Sequence, residues 1–178
     1  MSATMMEGRV CIKVPINCKA RKFDARETHG VSHCMSAVDF VFELDDRIYF
    51  VEVKDPLRAP LEHQMKGLEY VRTFSLGNED VELCRKYRDS FLYEWAMKNT
   101  NKPIYYLVLI IAEKLTEAEL LIRQDALKRI IPQGVPRQTM WKRSLNESCI
   151  VLNLKTWNKF FPKFQATLIE TEFKYLSE

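Results

Sequence analysis

Residues 39–55 read DFVFELDDRIYFVEVKD and hold two runs rich in Val, Ile, Phe and Tyr on either side of Asp45-Asp46. β-Branched and aromatic residues at this density are typical of strands, and a two-residue link between two short runs indicates a β-hairpin. If Asp45-Asp46 forms the turn, counting outward sets Asp39 opposite Glu52. The hairpin therefore predicts two carboxylates side by side.

Strand alternation places Lys54 on the same face as these two carboxylates. Directly opposed side chains in an antiparallel pair have Cβ atoms about 4.5–5.5 Å apart, so two carboxylates there repel each other unless a cation neutralises them. Oxygen ligands at this spacing favour Mg²⁺ or Mn²⁺. A three-residue turn would instead set Phe40 opposite Glu52, and a buried Glu–Lys pair at the strand end is the structural alternative to a metal site.

An Asp, twelve further residues and then Glu-Val-Lys at the end of an apolar strand make up a short motif over residues 39–54. This motif resembles that of the PD-(D/E)XK nuclease superfamily, which has an Asp on one strand and Glu-X-Lys on the next. Val38 stands where the superfamily name implies a proline, and the likeness covers about residues 20 to 75. The resemblance implies a restriction-endonuclease-like fold and a metal-dependent endonuclease that hydrolyses phosphodiester bonds, with DNA as the favoured substrate.

The resemblance also implies a role for each motif residue. It assigns the catalytic and metal-binding groups to the strand ends: Asp39, Glu52 and Lys54 as catalytic residues, with Asp39, Glu52 and the Val53 carbonyl holding Mg²⁺ or Mn²⁺. Lys54 would position and help to deprotonate the attacking water. Glu27, near the end of a short helix predicted over residues 19–28, is the candidate for a further metal ligand; its alternative reading is an exposed helical glutamate.

The predicted fold class is α/β, with a central mixed β-sheet flanked by helices. Both hairpin strands are apolar on both faces apart from the charged positions, as in strands covered on both sides. Helical spacing of apolar residues predicts a helix over 61–74. A second helix begins near Asn78, and the stripe predicted to face its core is Val81, Cys84, Tyr87, Phe91 and Trp95.

The remaining chain continues this alternation of strands and helices. Residues 104–112, IYYLVLIIA, read as a fully buried strand. Thr116 and Glu119 form a predicted capping box for a helix over 117–131. Residues 150–154 are predicted to form another strand.

Candidate nucleic-acid contacts lie on the helix predicted over 61–74 and on a loop after residue 132. Basic residues outnumber acidic ones nine to two over residues 123–165. Basic side chains beside an exposed tryptophan can contact a phosphate backbone and stack on a base, although solvated basic faces are also common. The candidates are Gln64, Lys66, Arg137, Trp141, Lys142 and Arg143.

Length and composition limit the function classes. At 178 residues, with 47% hydrophobic and 29% charged residues, the chain is predicted to form a single domain over residues 1–178. The start has no basic segment followed by an apolar one, and the longest apolar run is too short to span a membrane, so we expect a cytoplasmic protein that does not enter the membrane. Five cysteines without a C-x-x-C pair indicate neither a disulfide framework nor a zinc site.

Two functional hypotheses follow. The first is a Mg²⁺-dependent nuclease acting on nucleic acid. The second is a non-catalytic nucleic-acid-binding or interaction module on the same fold, or an inactive accessory nuclease subunit. The oligomeric state, including a homodimer, is left open by the sequence.

Overall fold

The computed structural model describes residues 3–25, 27, 30–31, 33–56, 64–135 and 140–169. The strands and α-helices in these residues are, in chain order, β1 (Ala3–Glu7), β2 (Val10–Val14), β3 (Lys19–Lys22), β4 (Phe40–Glu43), β5 (Ile48–Lys54), α1 (Gln64–Ser75), α2 (Asp80–Ala96), β6 (Ile104–Ile110), α3 (Glu117–Ile130), β7 (Ser148–Asn153), α4 (Leu154–Phe160) and β8 (Ala166–Leu168). A short 3-10 helix, Pro162–Phe164, lies between α4 and β8. The predicted α/β class is confirmed.

The central hairpin has the predicted register. β4 and β5 are antiparallel, with Val41 opposite Phe50. The Leu44 N–H donates to the Arg47 carbonyl at 2.9 Å, which closes the turn around the two aspartates. Because Phe40 pairs with Val51, the same register carried one residue further sets Asp39 opposite Glu52.

The strands form two sheets. The larger is a five-stranded mixed sheet in the order β3-β4-β5-β6-β7, with the β5–β6 and β6–β7 pairs parallel. The smaller is an antiparallel sheet in the order β1-β2-β8. The central mixed sheet is therefore confirmed, and β3 and β7 are its outer strands.

Two apolar cores cover the two faces of the larger sheet. On one face Val41 and Phe50 pack with side chains of α1, α2 and α3, such as Phe74 and Tyr87. On the other face Phe42 and Val51 pack with the smaller sheet, Trp157 of α4 and Phe164. Alternate residues of β5 enter opposite cores, and this alternation fixes which face carries Glu52 and Lys54.

The helix predicted over residues 19–28 is wrong for residues 19–22, which form β3 on the edge of the larger sheet. The Lys-Ala-Arg-Lys sequence has no strong local preference for a strand. Its pairing with β4 supplies the backbone hydrogen bonds that a helix would have supplied, and this tertiary contact decides the conformation.

The face of α2 that packs inward also differs from the prediction. Val81 and Trp95 are exposed, whereas two polar residues, Ser90 and Glu94, are buried. Ser90 accepts a hydrogen bond from the Val38 N–H at 3.0 Å. Polar partners inside the protein therefore rotate α2 away from the orientation that apolar residues alone would favour.

The cysteines and the lengths of the helices bear on the environment of the chain. All five cysteines are free, with Cys84 and Cys149 buried. Among the described helices, none combines the length and the apolar character that crossing a bilayer requires.

The buried Glu94 carboxylate, 0% exposed, accepts two hydrogen bonds from the Arg21 guanidinium at 3.0 and 2.8 Å. Arg21→Ala would leave this carboxylate without its cation. We expect the free energy of unfolding to fall by roughly 3 kcal/mol, the low end for a broken buried pair because the Arg21 side chain is one-third exposed. Urea unfolding measures the change.

Arg47→Ala is the control for this experiment. Arg47 pairs with Asp46 on the surface, where both side chains are solvated, so we expect little change in stability. Equal effects of the two substitutions would contradict the importance of the Arg21–Glu94 pair.

Candidate active site at the end of the central strands

The two motif carboxylates lie at one end of the larger sheet. Asp39 directly precedes β4 and is 5% exposed, and Glu52 lies in β5 and is 1% exposed. Lys54 ends β5 with its side chain 16% exposed. The hairpin register thus brings the three predicted catalytic residues together.

Asp39 is held by the backbone of β5. Its Oδ2 accepts a hydrogen bond from the Val53 N–H at 2.6 Å. The N–H and C=O of one strand residue point to the same side of the strand, so the Val53 carbonyl is directed toward Asp39 rather than toward β6. Burial raises the pKa of Asp39 to about 8; the Glu52 charge adds to this shift and the Lys86 charge opposes it.

Glu52 is the most deeply buried carboxylate of the site. Its Oε1 accepts a hydrogen bond from Lys86 Nζ at 2.6 Å and lies 3.4 Å from Lys54 Nζ. Its Oε2 is buried and has no hydrogen-bond partner among the described residues. Burial raises the pKa of Glu52, and the two lysines act in the opposite direction.

Lys54 stands between β5 and α2. Besides Glu52, its ammonium lies 3.4 Å from Glu82 Oε1 and 3.7 Å from Glu79 Oε2. Lys86 comes from the same helix, and burial lowers its pKa while Glu52 and Asp39 raise it, with a net increase. Both ammonium groups therefore lie beside the Glu52 carboxylate.

Helix α2 also fixes the backbone that leads into Asp39. Asp89 Oδ2 accepts a hydrogen bond from the Ser36 N–H at 2.8 Å, and the Ser90 hydroxyl accepts one from the Val38 N–H. Among the described strands none pairs with the segment before β4, so side chains satisfy these N–H groups. Side chains of α2 thus set the position of Asp39 as well as that of Lys86.

A second group of carboxylates meets at Asp39. Oxygen atoms of Glu7, Asp24 and Asp39 lie within 4.8 Å of one another. Lys22 contacts Glu7 and lies 3.4 Å from Asp24. The predicted further ligand, Glu27, is exposed and does not belong to this group.

An open cleft of about 310 Å³ lies beside the buried carboxylates. Its lining residues come from both sheets and α1: Glu7, Gly8, Val53, Lys54, Asp55, Pro56 and Tyr70. Asp39 and Glu52 do not line it. A ligand in the cleft would meet Lys54 and Glu7 first, with Asp39 and Glu52 behind them.

Three of the predicted nucleic-acid contacts are described, and they lie away from the strand-end site. Trp141, Lys142 and Arg143 are exposed and precede β7, at the end of the parallel strands opposite Lys54. The seven residues of β5 span about 20 Å between these ends. Arg143 donates to the Thr100 carbonyl and hydroxyl at 3.1 and 2.9 Å.

Three further predicted contacts fall outside the described side chains. Gln64 and Lys66 belong to α1 by their backbone, but their side chains lie outside the described part of the chain. Arg137 lies outside the described residues altogether.

The sequence interpretation missed Lys86, Glu7 and Asp24. A signal for Lys86 exists, because positions 79, 82 and 86 carry Glu, Glu and Lys at helical spacing and so share one face of α2. Glu7 and Asp24 give no comparable signal, since they reach the site only through the packing of β1 and the turn after β3.

Comparison of the chain with protein-family models, with curated proteins and with solved structures finds no match. The likeness to the PD-(D/E)XK superfamily accordingly consists of the short motif over residues 39–54.

The raised pKa of Asp39 predicts a specific dependence of stability on pH. An unfolded Asp loses its proton near the ordinary value of 3.8, whereas folded Asp39 keeps its proton up to about pH 8. Between these values the folded state binds more protons, so the free energy of unfolding falls as pH rises, by up to about 1.4 kcal/mol per pH unit. Urea unfolding at several pH values, with a chelator present, measures this slope.

Asp39→Asn keeps an oxygen for the Val53 N–H but has no group that titrates. The variant should therefore flatten the slope of the free energy of unfolding against pH between pH 4 and 8. At alkaline pH it should be more stable than the wild type. Asp45→Asn, in the exposed hairpin turn, is the matched control and should keep the wild-type slope. An unchanged slope in Asp39→Asn would show that another group causes the pH dependence.

Proposed function

We propose that this protein is a metal-dependent nuclease that hydrolyses phosphodiester bonds, with DNA as the favoured substrate. The supporting observation is the buried Oε2 atom of Glu52, which lacks a hydrogen-bond partner among the described residues beside a second carboxylate, Asp39. A buried carboxylate oxygen without a donor costs free energy unless a cation or donor reaches it. A divalent ion would satisfy that oxygen.

The donor set suits Mg²⁺ or Mn²⁺. Asp39 and Glu52 offer carboxylate oxygens and Val53 a carbonyl, all hard ligands. Glu7, which lies near Asp39 and lines the cleft, is a better candidate for an additional ligand than the exposed Glu27. When bound, such an ion would lower the pKa of a water molecule and offset negative charge on phosphate.

Of the three proposed catalytic residues, Lys54 is the one that lines the cleft, and its ammonium also contacts Glu52. We therefore place it nearest to the substrate. Its ammonium can hold a water molecule or a phosphate oxygen there. We therefore assign it the orientation of water and the stabilisation of charge in the transition state.

Lys86 has a different position. It forms the shorter contact with Glu52 and does not line the cleft. We assign it the role of positioning Glu52 and neutralising part of its charge. Loss of Lys86 should then alter metal affinity, whereas loss of Lys54 should alter the rate of the chemical step.

A second candidate function is favoured by the same lysines. Lys54 and Lys86 together could neutralise the Glu52 charge as a structural ion cluster without any metal, as in a non-catalytic binding module. The two functions differ in whether a divalent ion supports turnover.

Glu52→Gln should abolish Mg²⁺-dependent cleavage of DNA, because the amide removes a negative charge from the proposed ligand set while keeping the shape of the side chain. The measurement is cleavage of labelled linear duplex and single-stranded DNA, with RNA tested in parallel. Glu43→Gln, on the same sheet in a surface pair with Lys102, is the matched control and should cleave normally. Full activity in Glu52→Gln would exclude this site from the reaction.

Lys54→Ala should lower kcat and kcat/KM together by about 10²–10⁴-fold while substrate affinity changes little, because its interaction is made mainly in the transition state. Affinity is measured in Ca²⁺ and rate in Mg²⁺. Lys86→Ala is the comparison and should instead raise the Mg²⁺ concentration needed for half-maximal rate. A wild type that binds nucleic acid but cuts none with any divalent ion would establish the binding-module alternative.

A further inference from the structure

The outer edge of β7 carries an apolar groove that the proposed active site does not use. The groove has a volume of about 600 Å³ and lies between α3 on one face of the sheet and α4 on the other. Leu121 and Phe160 line it and are 56% and 62% exposed, and Ile150 is partly exposed beside them. Large apolar side chains grouped in this way mark an interaction surface.

Side chains of the protein already cover the edge of β7. The Val151 N–H donates to Gln124 Oε1 at 3.4 Å, and the Asn153 N–H donates to Thr156 Oγ1 at 3.0 Å. Because these outward N–H groups have acceptors, an added strand would find few free donors. The groove therefore suits a partner that packs side chains against α3.

The charges along α3 indicate what that partner is. Glu117, Leu121, Gln124 and Lys128 follow one another at intervals of four, three and four residues and so lie on one stripe of the helix. Glu117, Leu121 and Gln124 of this stripe line the groove. The stripe is acidic at one end, basic at the other and apolar or neutral between.

This pattern is complementary to itself. If two α3 helices lie antiparallel about a two-fold axis between Leu121 and Gln124, Glu117 of each copy faces Lys128 of the other, and Leu121 of each faces Gln124 of the other. A two-fold interface uses the same patch on both subunits and so requires such self-complementarity. Glu117 and Lys128 form no ion pair with any other described residue, which leaves both charges for this contact.

We propose that the protein forms a symmetric homodimer through the Glu117–Lys128 stripe of α3 and the groove beside β7. This dimer does not depend on the nuclease function. The active site lies at the end of β5 and remains uncovered by the second copy, because β6 separates β5 from the β7 edge.

Leu121→Arg should dissociate the dimer, because each copy would place a charged side chain where Leu121 packs against the partner, and this charge would be buried there without a counterion. Sedimentation velocity over a wide range of protein concentration measures the dissociation constant, which we expect to rise at least about ten-fold. Ile122→Arg is the matched control: Ile122 is adjacent and 57% exposed, does not line the groove, and should leave dimerisation unchanged. A wild type that is monomeric throughout, or equal effects of the two variants, would overturn the proposal.

Charge reversal tests the two-fold geometry itself. Glu117→Lys and Lys128→Glu should each weaken self-association about ten-fold or more through like charges at both ends of the stripe. A mixture of the two single variants should form a heterodimer, and the double variant should recover the homodimer, since both combinations restore opposite charges. Circular dichroism and thermal unfolding check that each variant is folded. Failure of both recoveries with folded proteins would exclude the antiparallel arrangement.

Discussion

A carboxylate buried at the end of a central strand costs several kcal/mol unless cations or donors face it, and Glu52 imposes this requirement on its surroundings. Lys54 of the same strand and Lys86 of α2 both approach its Oε1 atom. Helix α2 must therefore present a polar side chain to the sheet at this point. The inward orientation of Ser90 and Glu94 on the same helix follows the same rule, because each has a buried partner to satisfy.

The smaller sheet completes this end of the molecule. β1 places Glu7 near Asp39, and the turn that follows it places Arg9 against Asp55, with two hydrogen bonds of 3.0 and 2.9 Å. Gly8 has a positive φ of 56°, which allows this tight turn beside the cleft. The cleft is thus bounded by two sheets that are far apart in sequence.

The charged site and the apolar groove occupy different parts of the larger sheet. Charged groups meet at the end of β5, whereas exposed apolar groups gather along β7 and α3. The basic loop around Trp141 occupies the opposite end of the sheet from Lys54. A nucleic acid that contacted both Lys54 and this loop would have to extend along the length of the sheet, about 20 Å, while one bound in the cleft alone would not reach Arg143.

From the sequence alone the hairpin over residues 39–55 and the α/β class could be predicted, because strand alternation and turn residues act locally, while the structure selected the two-residue turn over the three-residue one. The sequence also predicted that Asp39, Glu52 and Lys54 share one face. Only the tertiary structure decided that residues 19–22 form a strand, that Lys86 lies closest to Glu52, and that Glu7 and Asp24 meet Asp39. These features depend on pairing with β4, on the rotation of α2 and on the packing of the smaller sheet. Such contacts join residues distant along the chain, so even where the local sequence shows a pattern, as for Lys86 on α2, it does not show which distant partner that pattern meets.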